Sequence, residues 1–566
     1  MWGSLFAETV YRLGVRSAVI APGSRSTPLA WALAQHEAID CIPILDERSA
    51  GFFALGLARA QRPALVICTS GTAGANLFPA VIEARESRIP LMLVTADRPP
   101  ELRYCQSGQT IDQVGLFGRY PVFHQELALP GSDSRSLRHL RQSLVHAWGR
   151  AAGPPGGPVH LNFPFREPLT PDDSDGSIAG TVDSLCAGIA PPAQVRITLP
   201  EVEDIPFPDE GLIVAGAAQP ADPAAWADAI HAVSSALGWP VLADALNPLR
   251  FRAEGPGTIV AHYDLILRNS RLAAGLKAKQ ILQIGPLPTS KILRGWLEAT
   301  DAPTIVVSGH GDNLDPAHAR ARIWPVFAED LPARIRTPRR SVNPDYARRW
   351  AAADREAGSA LEANLADPGF PFEGCVVREL VRRLPRGSPI FLAGSMPVRD
   401  AEYFCEASDR KLRPFCNRGA NGIDGTLGTA MGLAHGYGSA FLLCGDLALL
   451  HDTNAFLITP ELRAALTVVL VNNRGGGIFE HLPVAELGGP FERFFATPQT
   501  VDFARLAEAY GVTHQPVVDA TALRNALETP HEAGVRILEW CCDRKRDAAF
   551  RRKLFHEIAE SLTDQT

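Results

Sequence analysis

Short apolar runs alternate with helical stretches in three separate segments of this 566-residue chain. Strands that are separated by helices form βαβ units, which build a parallel sheet with helices packed on its faces. The apolar runs lie at 18–21, 42–45, 64–68 and 91–95, then at 212–214, 240–243, 281–284 and 304–307, and finally at 389–393, 441–444, 466–471 and 535–540. This pattern predicts an α/β protein with three doubly wound parallel-sheet domains.

The connections between these segments indicate the domain boundaries. Residues 168–208 are rich in Pro, Asp, Ser and Gly, which is typical of a linker, whereas residues 343–374 combine a polar helix with Pro-rich turns. We therefore predict an N-terminal domain at 1–170, a central domain at 205–340 and a C-terminal domain at 370–566. A chain of this length agrees with about three or four domains.

Two of the predicted strands in the third segment end in residues that suit a metal-bound diphosphate. The run at 441–444 ends at Gly445-Asp446-Leu447, and the run at 466–471 ends at Asn472-Asn473 before three glycines. Parallel strands present their carboxyl ends at one edge of a sheet, where open α/β folds bind ligands. Asp446 offers an anionic oxygen and Asn473 a neutral one, and Mg²⁺ prefers one or two such ligands together with phosphate oxygens. The alternative is a chance Gly-Asp beside an Asn-rich turn.

Composition excludes several classes of partner. The net charge is −7, so we expect neither nucleic acid nor an anionic membrane as a partner. The sequence contains no apolar run near the roughly 18 residues that a spanning helix needs, and we expect no stable membrane insertion. The first residues lack a basic stretch followed by an apolar one, so we expect no signal peptide. The ten cysteines are scattered without a CxxC pair, which favours a reducing, cytoplasmic location.

The paired motifs around Asp446 and Asn473 resemble the signature of thiamine diphosphate-dependent enzymes. That resemblance implies thiamine diphosphate as cofactor, held through Mg²⁺ or Mn²⁺ by Asp446, Asn473 and the carbonyl of Gly475. It also implies that the three domains are pyrimidine-binding, central and pyrophosphate-binding, in that order. Active sites of such enzymes form between subunits, so we expect a homodimer or a dimer of dimers.

Glu47 follows a predicted strand and begins a predicted helix, where the resemblance implies the carboxylate that activates the cofactor. Without the resemblance, Glu47 is equally an ordinary acidic residue in the first turn of a helix. The Gly-rich loop at 69–76, which contains Thr72, recurs beside the pyrimidine in the same enzymes and supports a catalytic Glu47. Ile423 is expected to be the apolar wedge beneath the cofactor, although such a residue is more often part of a core.

Four segments carry a closer resemblance, at 21–29, 46–48, 95–102 and 417–425. Together with Gly445-Asp446-Leu447 they resemble the 2-succinyl-5-enolpyruvyl-6-hydroxy-3-cyclohexene-1-carboxylate synthases. The resemblance implies decarboxylation of 2-oxoglutarate and 1,4-addition of the succinyl carbanion equivalent to isochorismate, with release of CO₂, in menaquinone or phylloquinone biosynthesis. Both substrates are dianions, and arginine forks bind carboxylates bidentately.

The resemblance then implies a set of site residues. Those expected near the cofactor are Thr72, Gly394, Ser395, Asn421, Ile423, Gly445, Asp446, Asn473, Gly475 and Ile478. Those expected near the substrates are Ser24, Arg25, Arg98, Gln109, Lys291, Ser395, Arg399, Arg418, Ile478, Phe479 and Leu482.

Two positions depart from this pattern. Gly108 stands where some relatives have Asn, and Ile292 stands where some have Arg, so one polar contact and one cation to substrate are expected to be missing. The loops at 22–26 and 46–48 contain no His, so the sequence identifies no protein general acid. Alternatives are another thiamine diphosphate carboligase or decarboxylase of the acetolactate synthase type, and a non-catalytic regulator that binds a nucleotide or thiamine diphosphate.

Overall fold

A computed structural model describes residues 1–171, 178–192, 207–318, 321–335 and 344–563 of the chain. Three six-stranded sheets make up its framework, and within each sheet all paired strands run parallel. The predicted α/β class with three parallel sheets is therefore confirmed. Within the described residues, no helix is both long enough and apolar enough to cross a membrane.

The first sheet has the strand order β2-β1-β3-β4-β6-β5. Its strands are β1 (Ser17–Ile20), β2 (Asp40–Pro43), β3 (Ala64–Cys68), β4 (Leu91–Asp97), β5 (Phe123–Glu126) and β6 (Pro158–Pro164). The helices of this segment are α1 (Trp2–Arg12), α2 (Thr27–Ala34), α3 (Glu47–Arg59), α4 (Thr72–Asn76), α5 (Phe78–Glu86), α6 (Ser134–Ala152) and α7 (Ile178–Cys186). Helix α7 falls inside the predicted linker at 168–208, whose residues 172–177 and 193–206 lie outside the described part of the chain.

The second sheet has the order β12-β11-β10-β7-β8-β9. Its strands are β7 (Gly211–Ala215), β8 (Val241–Ala243), β9 (Ile259–Val260), β10 (Gln280–Ile284), β11 (Thr304–Val307) and β12 (Arg322–Trp324). Its helices are α8 (Pro223–Leu237), α9 (Tyr263–Arg268), α10 (Ser270–Gly275), α11 (Lys291–Thr300), α12 (Leu331–Arg334) and α13 (Asp345–Leu365). Helix α13 is the polar helix that the sequence predicts within 343–374.

The third sheet has the order β14-β13-β15-β16-β18-β17. Its strands are β13 (Pro389–Leu392), β14 (Arg413–Phe415), β15 (Ser439–Gly445), β16 (Ala465–Asn472), β17 (Thr513–Pro516) and β18 (Gly534–Cys541). Its helices are α14 (Glu373–Arg383), α15 (Met396–Phe404), α16 (Thr426–Tyr437), α17 (Asp446–His451), α18 (Gly489–Phe491), α19 (Phe503–Ala509), α20 (Ala520–Glu528) and α21 (Arg544–Ser561). Short 3₁₀ or π turns occupy Pro100–Leu102, Pro248–Phe251, Ala328–Asp330, Thr453–Glu461, Gly477–His481, Pro483–Leu487 and Glu492–Ala496.

The strand order of each sheet changes direction along the chain, and these changes position the loops that follow the central strands. In the third sheet the chain passes from β13 to β14 on one side and then to β15 on the other. The carboxyl ends of β13 and β15 therefore flank a crevice, the usual ligand position in an open α/β sheet. Gly394 and Asp446 follow these two strands and lie at this crevice.

Helices α3 and α16 join the first and third sheets at very short range. A Cβ added to Gly56 of α3 would lie 2.2 Å from the Thr429 carbonyl oxygen, and one added to Gly432 of α16 would lie 2.1 Å from the Phe53 carbonyl oxygen. The two backbones thus touch where neither helix has a side chain. One buried apolar cluster is continuous across this contact, from Val19 in β1 to Val468 in β16.

Candidate functional site

A cavity of about 520 Å³ opens at the switch point of the third sheet. Most of the residues predicted near the cofactor line it, namely Gly394, Ser395, Asn421, Ile423, Gly445, Asp446, Asn473, Gly475 and Ile478. Arg399, Arg418, Phe479 and Lys291, which are predicted near the substrates, line the same cavity. The structure therefore brings these thirteen predicted residues together at the predicted edge of the sheet.

Asp446 begins helix α17 at the wall of this cavity, with both carboxylate oxygens held by the backbone. Oδ1 accepts a hydrogen bond from the N–H of Leu447 at 2.9 Å, and Oδ2 accepts one from the N–H of Gly475 at 2.8 Å. Burial nevertheless raises the pKa of Asp446 to about 6, because it removes water from the charged form. A bound divalent cation would supply the charge compensation that the lost water no longer provides.

Asn473 supplies the second candidate metal ligand, and its amide orientation is fixed. Its Nδ2 donates to Glu373 Oε2 at 3.0 Å, while its buried Oδ1 has no hydrogen-bond partner among the described residues. A buried carbonyl oxygen without a donor is unfavourable unless something else satisfies it. Oxygen ligands from Asp446, Asn473 and Gly475 suit Mg²⁺ or Mn²⁺, so these residues fit the metal that the sequence predicts.

A buried ion network holds Glu373 in place behind the metal ligands. Arg551 of α21 donates from Nη2 to Glu373 Oε1 at 2.7 Å and to Asp400 Oδ1 at 2.6 Å. All three side chains are buried. Glu373 therefore presents one oxygen to Arg551 and the other to Asn473, which keeps the Asn473 carbonyl turned away from Glu373. The sequence analysis missed Glu373 and Arg551, which belong to no local motif.

The turn after β13 forms the opposite wall. Ser395 has a φ of 68°, a strained value for a residue other than glycine and one that recurs at ligand sites. Its carbonyl oxygen accepts a hydrogen bond from Arg399 Nη1 at 2.6 Å, which positions this arginine in the cavity. Burial lowers the pKa of Arg399, but its guanidinium stays charged at neutral pH.

The loop at 417–425 is held by the N-terminal segment of the same chain. Glu83 of α5 is 2% exposed and accepts the N–H groups of Gly419 at 3.0 Å and Ala420 at 2.8 Å. Arg59 of α3 pairs with Glu83 at 2.9 Å. These contacts position Arg418, Asn421 and Ile423. Glu83 is a further residue that sequence patterns did not single out, because its partners are backbone groups far along the chain.

The N-terminal predicted residues lie at the carboxyl edge of the first sheet, outside the 520 Å³ cavity. Glu47 is half-buried at the start of α3 and accepts a hydrogen bond from Asn76 Nδ2 at 3.2 Å. Thr72 and Ser24 are exposed at neighbouring strand ends. Within one chain, therefore, the structure does not bring Glu47 and Thr72 to the cavity that contains Asp446.

Arg98 and Gln109 meet at Ser70, which follows β3. Arg98 donates from Nη1 to Ser70 Oγ at 2.9 Å, and Gln109 donates from Nε2 to the Ser70 carbonyl at 3.0 Å. Arg25 is buried and turns to Glu167 at 3.0 Å and to the Phe165 carbonyl at 3.0 Å. These three predicted substrate residues thus surround the end of the first sheet as a polar group separate from the main cavity.

Leu482 lines a second cavity of about 1110 Å³, which adjoins the first. Lys291, Arg399 and Ile478 line both cavities, so the two spaces share a wall. Leu482 is the one predicted C-terminal residue that lies in the larger cavity alone.

Asp452 directly follows α17 and contacts the first turn of α16, and its ionisation predicts how the stability of the protein depends on pH. Burial, together with the nearby charges of Asp424 and Asp46, raises its pKa to about 7, although it accepts the N–H of Gly428 at 2.8 Å. The folded state therefore retains a proton that the unfolded chain loses near its ordinary pKa of about 3.9, so this residue makes the protein less stable as the pH rises from about 4 to about 7.

We expect Asp452→Asn to remove that dependence and to raise stability at pH 8 by about 2 to 4 kcal/mol, since one pKa unit corresponds to about 1.4 kcal/mol. Chemical denaturation of cofactor-free protein at pH 5 and pH 8 measures it. If the change in the free energy of unfolding between pH 5 and pH 8 is the same in the variant as in wild type, Asp452 does not cause the pH dependence.

Three family profiles match the chain in succession. They describe the N-terminal thiamine pyrophosphate-binding domain of thiamine pyrophosphate enzymes at residues 2–116, their middle domain at 207–392 and their C-terminal thiamine pyrophosphate-binding domain at 401–537. A solved benzoylformate decarboxylase from Polynucleobacter necessarius superposes with a TM-score of 0.65 over 96% of this chain and 98% of its own. At 16% identity this likeness supports the fold alone. Fold and site together define a thiamine diphosphate-dependent enzyme.

Full-length relatives assign the chain to one family within the thiamine diphosphate-dependent enzymes. Proteins named 2-succinyl-5-enolpyruvyl-6-hydroxy-3-cyclohexene-1-carboxylate synthase are similar to this chain at 48% identity in Synechococcus elongatus, 44% in Rippkaea orientalis and 47% in Trichormus variabilis. The matches cover 98–99% of this chain and 96–97% of each relative. The chain belongs to this synthase family.

Proposed function

We propose that the protein catalyses the thiamine diphosphate- and metal-dependent decarboxylation of 2-oxoglutarate and the addition of the succinyl unit to isochorismate. The products are 2-succinyl-5-enolpyruvyl-6-hydroxy-3-cyclohexene-1-carboxylate and CO₂, in menaquinone or phylloquinone biosynthesis. The observation that carries this proposal is the cavity in which Asp446 and Asn473 face the same space as Arg399 and Arg418, with the Asn473 carbonyl lacking a hydrogen-bond partner among the described residues. It combines a diphosphate–metal site with cations for dicarboxylate substrates.

The cofactor supplies a nucleophilic carbon that makes loss of CO₂ and formation of a new C–C bond feasible. In our proposal, Asp446, Asn473 and the Gly475 carbonyl hold the metal ion. Gly394, Ser395, Asn421, Gly445 and Ile478 would contact the cofactor, and Ile423 would support it as an apolar wedge. Thr72 would contact its pyrimidine, and Glu47 would be the catalytic residue, with its carboxylate placed to hold a proton beside that ring.

Substrate binding is assigned to the cations and polar groups around both strand edges. The assigned residues are Ser24, Arg25, Arg98, Gln109, Lys291, Ser395, Arg399, Arg418, Phe479 and Leu482. Arginine forks bind carboxylates with two parallel hydrogen bonds, which orients a dicarboxylate as well as neutralising it. We assign no protein side chain as general acid.

The separation of Glu47 from the metal cavity within one chain supports a homo-oligomeric enzyme. We propose that Glu47 and Thr72 of one subunit face the Asp446 cavity of another, so that a dimer is the smallest active unit. In keeping with this arrangement, Leu45 beside Glu47 is 65% exposed in the single chain. The proposed domains are 1–170, 205–340 and 370–566, and the proposed location is the cytoplasm.

A direct assay tests the activity. Purified protein is incubated with thiamine diphosphate, Mg²⁺, 2-oxoglutarate and isochorismate, and isochorismate consumption is followed together with product mass. We expect an adduct that contains the succinyl unit and has lost CO₂. Release of CO₂ without an adduct would instead indicate a different acceptor, and turnover of pyruvate without isochorismate would indicate an acetolactate synthase type of enzyme.

Arg399 provides a test of the substrate assignment. We expect Arg399→Ala to lower kcat/KM, with a loss of transition-state stabilisation of about 2 to 4 kcal/mol. The reason is that the substitution removes a largely desolvated cation from a substrate carboxylate. Steady-state kinetics with each substrate varied in turn measure the loss. Arg505→Ala, at a highly exposed surface position, is the matched control. Wild-type kinetics in Arg399→Ala would place this arginine outside the substrate site.

A further inference from the structure

The larger cavity, of about 1110 Å³, contains a cation to which the sequence analysis gave no role. Helices α9, α11, α15 and α21 contribute to its walls. Arg268, the last residue of α9, lines this cavity and is absent from the lining of the smaller one. The neighbouring Ile292 lines the same cavity and contributes no charge.

The side chain of Arg268 is held in one orientation. Its Nε donates to Asp264 Oδ1 at 2.8 Å, and its guanidinium lies 4.4 Å from the ring centroid of Phe555 on α21. Among the described residues, the hydrogen bonds of Arg268 use Nε alone. The two Nη groups therefore remain as a pair of donors, in the fork that suits a carboxylate.

A hydrogen-bonded network links Arg268 to the start of the helix that carries the predicted substrate residue Lys291. Asp264, which is 2% exposed, accepts from Ser290 Oγ with its second oxygen. Ser290 caps helix α11 by accepting the N–H of Leu293 at 3.0 Å, and Lys291 is the first residue of that helix. The same buried carboxylate thus fixes both Arg268 and the start of the helix that carries Lys291.

Several charged groups of this cavity to which the sequence analysis gave no role are less suited than Arg268 to hold a ligand. Glu480, Glu486 and Glu560 also line it, and Glu480 is paired with Arg544 at 2.9 Å. Arg552 is exposed and donates from Nη1 to the Glu480 carbonyl. Arg268 combines partial burial, a fixed guanidinium plane and unused donors, which are the features of a preorganised binding group.

We infer that Arg268 binds a carboxylate of the acceptor substrate, isochorismate, and does not contribute to binding of the donor, 2-oxoglutarate. The inference rests on the proposed function. The donor must react beside the cofactor, in the smaller cavity that contains the metal ligands, whereas Arg268 reaches only the larger cavity. That cavity has about twice the volume and accommodates a ring-bearing dicarboxylate such as isochorismate.

Arg268→Gln separates the two substrates. We expect the KM for isochorismate to rise roughly ten- to hundredfold, since a charge-assisted hydrogen bond is lost. The KM for 2-oxoglutarate and the affinity for thiamine diphosphate should remain unchanged. Arg271→Gln, on the exposed side of α10, is the matched control and should behave as wild type. Adding Ile292→Arg to Arg268→Gln returns a guanidinium to the same cavity and should recover part of the isochorismate affinity.

Calorimetric titration of isochorismate into protein loaded with thiamine diphosphate and Mg²⁺, without 2-oxoglutarate, keeps this test independent of turnover. Weaker binding to Arg268→Gln than to wild type supports the inference even if wild type forms no adduct, an outcome that would contradict only the proposed function. Equal isochorismate affinity in both proteins, or an equal rise of both KM values, overturns the inference. If Arg268→Gln does not fold, Arg268→Lys carries the test, because it keeps the charge and loses the fork; an unchanged isochorismate KM would then overturn the assignment.

Discussion

Replacing Glu47 with glutamine is expected to lower kcat by about 100- to 10,000-fold, whereas thiamine diphosphate should still bind. A glutamine side chain preserves the shape and the hydrogen bond that Asn76 donates at 3.2 Å, yet it cannot exchange a proton at neutral pH. Loss of a positioned acid–base group typically costs rates of this size. Turnover and cofactor affinity, the latter from quenching of tryptophan fluorescence, measure the two effects separately.

The matched control for Glu47 is Glu37→Gln, an exposed carboxylate on the same segment. It should retain wild-type turnover. Near-normal activity of Glu47→Gln would remove this residue from the chemistry and leave it as an acidic residue in the first turn of α3. Loss of cofactor binding together with turnover would assign it to binding instead.

Replacing Asp446 with alanine should weaken metal-dependent binding of thiamine diphosphate by more than about 100-fold. Mutation of groups that merely support a metal ligand typically costs 10- to 100-fold, and removal of a ligand itself should cost more. Stability should not fall in parallel, because Asp446 is a buried carboxylate whose pKa is raised to about 6 and whose charge is unfavourable without a metal. Titration of cofactor with and without Mg²⁺, combined with thermal unfolding of the metal-free protein, distinguishes the two effects.

Asp446→Asn sharpens this test. It retains an oxygen for the N–H of Gly475 or Leu447 but removes the negative charge. We expect cofactor affinity between that of Asp446→Ala and wild type. An unchanged Mg²⁺ requirement in both variants would count against a metal site at this position.

The buried strands could be predicted from sequence because their composition follows from burial on both faces. Strands β3, β4 and β16 are apolar almost throughout, and their sequences read as continuous hydrophobic runs. Strands β5 and β17 at the sheet edges have the sequences FHQE and THQP, so they lack both an apolar run and a regular alternation. Pairing with a neighbouring strand, which sequence periodicity does not report, makes them part of the sheets.

The same distinction applies to the site. Asp446 and Asn473 are found by pattern because both follow central strands, and strand ends are local features of the sequence. Glu373 lies 100 residues before its partner Asn473, and Glu83 lies 336 residues before Gly419. Neither contact has a local signal, since an acidic residue near a helix terminus is common. Arg268 also has no local signal, because a single arginine at the end of a short helix is common. Its contacts with Asp264 and Phe555, which form only in the folded chain, identify it as a candidate binding residue.

The close crossing of α3 and α16 limits how members of this family can be recombined. Gly56 and Gly432 touch backbone to backbone, so a chimera that takes its N-terminal half from one protein and its C-terminal half from another must keep glycine at both positions. Glu83 adds a second kind of contact, because its carboxylate accepts the N–H groups of Gly419 and Ala420. The joint between the halves thus includes two positions at which any side chain would collide with backbone and two main-chain donors held by one buried carboxylate, and both kinds of contact have to survive in a chimera.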